Sequence, residues 1–189
     1  MRDFETAIEK ERQSGVLLGR FVFLDKTRVD LSSKVTILGC TLFSDILTEQ
    51  KELVSMKLKD FDNIDDWAIE DHKAAYNADL AWLNDQVSQL ATSEPHLQVT
   101  ILTHYSPTLD PRSMDPRHTG SKIFSGFMTD LSNEICWNSP VVKTWIFGHT
   151  HFNCDFVDEG TRKRILANQR GYSRSPSKGF DPEKTVTLG

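Results

Sequence analysis

Two near-continuous apolar runs that end in histidine constrain this chain more than any other feature. Residues 98–104 read QVTILTH, and residues 141–147 read VVKTWIF and lead through Gly148 into His149, Thr150 and His151. Runs of this length rich in β-branched residues suit strands buried on both faces of a sheet, as in parallel α/β architectures. A helix is expected before the first run, because Tyr76, Leu80, Leu83, Val87 and Leu90 stack on one helical face.

In open α/β sheets the ligand crevice lies outside the carboxyl ends of the strands, so His104, His149 and His151 are expected to converge there. If residues 148–151 stay extended, positions i and i+2 share a face with Cα atoms about 6.5 Å apart. His149 and His151 would then each grip one of two neighbouring cations, which two-metal sites hold about 3.5 to 4 Å apart. Gly148 would let the chain turn sharply beside them. Taken singly the signals are weak. An HxH pair is as readily two surface residues of a strand, and a lone histidine after a strand is more often a hydrogen-bonded core residue. Three imidazoles at two strand ends favour ligands.

The remaining chain reads as one domain, residues 1–189, without repeats or a dividing linker. Residues 2–13 have helical composition. The stretches at 16–18, 21–24, 29–31 and 35–39 look like strands, 45–74 like short helices and loop, and 158–161 like the turn of a hairpin. The tail from Gly171 onward is turn-rich and expected to wrap the surface. A chain of this length buries roughly 70% of its unfolded surface, so a metal site would be functional rather than a requirement for folding.

A net charge of −5, from 27 acidic and 22 basic residues, argues against general nucleic-acid affinity but leaves room for a phosphate-bearing substrate. Cys40, Cys136 and Cys154 lack CxxC spacing, which fits reduced thiols. No run approaches the ~18 apolar residues of a membrane span, and residues 1–15 lack the apolar core of a secretory signal. A cytoplasmic protein is the expectation.

THYSPT at residues 103–108 and FGHTH at 147–151 resemble the last two motifs of calcineurin-like metallophosphoesterases. VTILGCTLFSD, DLAWLNDQV, ANQRGY and FDP resemble further segments of that family, so the likeness spans residues 16–185. It implies an α/β fold, here a partial metallophosphoesterase-type β-sandwich core flanked by helices. It also implies hydrolysis of a phosphomonoester or phosphodiester with two divalent ions, of which manganese, zinc or iron suit imidazole ligands better than magnesium. By that likeness His104 and His149 match ligands of one ion, and His151 matches a ligand of the other. In many relatives a second histidine stands where this chain has Tyr105.

The family's upstream Asp-x-His, Gly-Asp and Gly-Asn-His motifs do not occur here. Asp71 and His72 lack the required spacer and read as solvated helix residues. A truncated gene model, a fragment or a chain whose partner segment is missing would explain the departure. On that account an edge of one of the two buried strands should lie open, unless residues 16–39 cover it. A non-catalytic metal-binding or scaffold remnant is the alternative, and a mononuclear histidine-triad hydrolase a third.

Residues 105–122 form a long proline-bearing connection that would rim the site, where Arg117 and His118 could meet a phosphate; an exposed loop pair is the commoner outcome. Arg162, Lys163 and Arg164 read as a solvated strand, and Cys154 as a small buried residue rather than a nucleophile.

Overall fold

The computed structural model of the chain describes residues 1–15 and 19–188. The two apolar runs become β3 (Gln98–Leu102) and β4 (Val142–Ile146), adjacent and parallel at the centre of one sheet. β2 (Val35–Gly39) pairs with β3 in parallel, and β1 (Thr27–Asp30) closes that edge antiparallel to β2. On the other side β6 (Arg164–Ala167) runs parallel to β4, and β5 (Cys154–Val157) completes an antiparallel hairpin with it. The order β1-β2-β3-β4-β6-β5 is a mixed six-stranded sheet in an α/β fold.

The hairpin falls where the turn at 158–161 predicts it. The open edge does not form: β2 and β6 flank β3 and β4, so residues 35–39 supply the covering strand. Among the described residues the remaining β structure is a two-stranded ladder of β7 (Gly171–Tyr172) with β8 (Ser175–Pro176) and a lone bridge between Ser106 and Met128, too little to form the second layer of a sandwich. The stretch at 16–18 lies outside the described residues. Residues 21–24 do not pair as a strand. They lie instead against β2, where a Cβ on Gly39 would come within 2.7 Å of the Leu24 Cβ, so only glycine admits that side chain.

Around the sheet stand α1 (Arg2–Gln13), α2 (Lys51–Lys57), the single-turn α3 (Asp60–Asn63), α4 (Ile69–Ser93) and the single-turn α5 (Ile135–Asn138). α4 begins with the Asp71 carboxylate accepting the Ala68 N–H at 3.0 Å, which satisfies one orphan donor of the first turn. Tyr76, Leu83, Val87 and Leu90 are buried on the expected stripe, against Leu38, Val99, Ile101, Trp145 and Ile165 of the sheet. Each such aliphatic side chain contributes about 1.5 to 3 kcal/mol by leaving water. The same stripe also buries His72 and Asp79. A second small core of Ile46, Val54 and Leu58 lies under Ile123 and Phe127, and so anchors the loop that follows the rim. No helix among the described residues is long and apolar enough to cross a membrane.

Candidate functional site

β3 and β4 are parallel neighbours, so their carboxyl ends deliver His104 and His149 to one place. His104 Nε2 lies 3.1 Å from His149 Nδ1, within hydrogen-bond distance. The approach depends on Gly148, whose N–H donates to the His104 carbonyl at 2.9 Å. A Cβ there would stand 3.3 Å from that carbonyl oxygen and 3.4 Å from His104 Nδ1.

His151 does not join them. His149 and His151 both adopt left-handed backbone, with φ of 67° and 51°, and the Thr150 N–H closes a tight turn onto the Gly148 carbonyl at 2.8 Å. The extended geometry expected for this segment is therefore absent, and the two imidazoles diverge. His151 is exposed, its ring edge-on to Tyr172 at 4.6 Å and its N–H bonded to Gln169 Oε1. Two non-glycine residues in this region cost about 1 to 3 kcal/mol each, a strain that clusters at functional sites.

His149 lies among aromatic rings, 4.1 Å from Tyr105 and stacked on Phe127 at 4.9 Å. Its Nε2 is buried without a hydrogen-bond partner. Burial, reinforced by the neighbouring His104, pushes the His149 imidazolium down to about 4. His104 presents surface to the cavity, yet desolvation still lowers its pKa. Both rings are thus favoured in the neutral form, the form that ligates metals.

Behind this pair, Tyr105 is buried and its hydroxyl donates to the Asp60 carboxylate. Burial first, then the Asp60 carboxylate, pushes the Tyr105 phenol far above its usual range. Asp60 had no sequence signal, lying in an aperiodic polar stretch. His72 corrects the expectation of a solvated residue. It is fully buried because α4 turns it inward one turn before Tyr76, and it packs 5.6 Å from Tyr105. Its Nε2 accepts the Ser44 N–H at 3.1 Å, its Nδ1 has no partner, and burial lowers its pKa to about 4.

The histidines open into a cavity of about 1170 Å³. Arg117 and His118 stand exposed on its rim, as the sequence suggested, with the Arg117 guanidinium held 2.6 Å from Asp115. Lys57, Lys59 and Lys178 also line it, so four permanent cations face two carboxylates, Asp60 and Asp115, in a chain of net charge −5. The three lysines escaped sequence reading because none lies in a motif.

Lys163 departs from its expected solvated state. It shares sheet parity with Ile165, so it points inward; its ammonium donates to the Trp137 carbonyl and sits 5.1 Å over that indole. Burial lowers its pKa to about 8. Cys154 is half-buried, and desolvation raises its thiol to about 12, in keeping with an inert residue.

Neighbouring ligands about 2.0 to 2.1 Å from a tetrahedral ion lie about 3.3 Å apart, so His104 and His149 fit two adjacent positions of one coordination shell. They do not fit a two-ion centre: among the described residues no three His, Cys, Asp or Glu side chains come together to hold a metal. No protein-family model, curated protein or solved structure matches the chain.

Proposed function

We propose that this chain is a metal-dependent phosphoesterase domain of the calcineurin-like kind, acting on a phosphomonoester or phosphodiester. The observation that carries the reading is the imidazole pair, with nitrogens 3.1 Å apart at the ends of adjacent parallel strands. The setting supports it, since the cavity around the pair is rimmed by excess positive charge. His104 and His149 would hold one transition metal, which when bound supplies positive charge to the phosphoryl oxygens. Lys57, Lys178 and Arg117 would draw in and orient the anion. The two imidazoles, kept neutral by burial, are ready to ligate near neutral pH. Cys40, Cys136 and Cys154 stand as free thiols, the form that a cytoplasmic setting keeps.

A second reading, a metal- or phosphate-binding module without turnover, draws on the turning away of His151 and the lack of a third converging ligand. Titration calorimetry with zinc and manganese, followed by hydrolysis of a chromogenic phosphomonoester and phosphodiester, separates the two. One ion per chain is expected, bound weakly, with slow turnover. Because His104 and His149 are the paired donors, His149→Ala should weaken metal binding more than His151→Ala. Equal losses would sink the ligand assignment, and tight metal binding with no turnover would favour the second reading.

A further inference from the structure

Beside the histidine cavity lies a smaller one of about 110 Å³, lined on its apolar side by Met114, Ile123, Phe124, Phe127 and Met128. We propose that it is the subsite for the alcohol portion of the ester, and that the preferred substrate carries a short apolar alkyl group on its phosphate. The inference rests on the phosphoester reading above and adds the chemical class of the leaving group.

Continuity is the first argument. The small cavity shares Asp115, His118, Phe127 and Thr150 with the large one, so it is a branch of the site rather than a closed packing void. Phe127 forms the threshold, since its ring stacks on His149 at 28° while it also lines the small cavity. A phosphate held at the imidazole pair would therefore have its ester substituent one aromatic ring away from the branch.

Chemistry is the second. Five apolar side chains make the wall, and the carboxylate at the mouth, Asp115, is already engaged by Arg117 through the guanidinium and the backbone N–H. No unpaired charge would meet an alkyl chain there. At roughly 30 Å³ for each water-sized group, the space holds about three to four carbons. The floor is anchored, because Ile123 and Phe127 pack on Ile46, Val54 and Leu58, whereas the two methionines can adjust to chain shape.

The test is an affinity series on the full chain in the presence of zinc: inorganic phosphate, then methyl-, ethyl-, propyl-, butyl- and hexylphosphonate, which the protein cannot hydrolyse. Affinity should rise roughly two- to fourfold per carbon to butyl and then level or fall. Two variants that fill the branch, Ser121→Phe and Met114→Trp, should flatten the series, with cooperative melting as the check on folding. Failure of inorganic phosphate to bind would overturn the phosphoesterase reading and this inference with it. With phosphate bound, a series flat in the wild type, or a slope that survives in either folded variant, would overturn the subsite alone.

Discussion

Acid should destabilise this protein through His72, and the size of the effect follows from its burial. His72 is 0% exposed, makes its only hydrogen bonds through Nε2 to Ser44, and is packed by Phe43, Phe61 and Tyr105. Its folded pKa is about 4, against 6.5 for an ordinary imidazole. A depressed folded pKa means that the unfolded chain binds the proton first. The stability is therefore fully present above about pH 6.5 and is lost as pH falls toward 4. From about pH 7 to pH 4.5 the loss comes to about 2 kcal/mol for this one group. His149, also lowered to about 4, adds a loss in the same window. The discriminating variant is His72→Gln, whose amide can still accept from Ser44 but cannot titrate. Urea unfolding followed by tryptophan fluorescence at the two pH values measures both proteins. The wild type should lose about 2 kcal/mol more than His72→Gln over the interval, the His149 share being common to both. Equal losses would refute the burial of an uncharged His72.

Lys163 titrates with the opposite experimental window. Its folded pKa of about 8 lies below the ordinary 10.5, so the chain carries a destabilising term at neutral pH that is relieved as pH rises. Lys163→Met removes that term, and its stability relative to the wild type should fall by about 2 kcal/mol between about pH 7.5 and pH 10; a difference that does not change with pH would show that Lys163 is solvated. Gly148→Ala should cost about 1 kcal/mol, because the new methyl would stand 3.3 Å from the His104 carbonyl oxygen and the turn must give by a few tenths of an ångström. It should also weaken zinc binding in calorimetry, and an unchanged melting temperature together with unchanged zinc affinity would contradict the close approach.

The parts of the fold that could be read from sequence were those in which burial alone decides the outcome. The runs at 98–102 and 142–146 are largely apolar because most of their positions are buried, Lys143 excepted, and the α4 stripe is apolar because it meets Val99, Ile101 and Trp145. Polar residues on the same faces defeated the same logic. His72 and Lys163 follow the periodicity of their elements and are buried, but hydropathy assigns them to water. Strand pairing was legible for β3 and β4 and not for residues 21–24, where the apolar side chains face a glycine gap in β2 rather than a ladder partner.

At the site, sequence placed the histidines at the right strand ends but not in the right directions. The reason lies in the backbone beyond β4. Alternation of side chains holds only while φ stays negative and the chain extended. Two left-handed residues within three positions break it, and although histidine enters that region more readily than most residues, no turn residue beyond Gly148 marks positions 149 and 151 for it. The turn has a chemical consequence. It sets His149 between Tyr105 and Phe127, where desolvation keeps it neutral, and leaves His151 in solvent beside Tyr172. The strained segment thus divides two neighbouring histidines into one held in an aromatic slot beside His104 and one exposed beside Tyr172. Any change that relaxed the turn toward extended backbone would have to withdraw His149 from its aromatic slot, so the placement of that imidazole and the backbone strain at residues 149–151 must vary together.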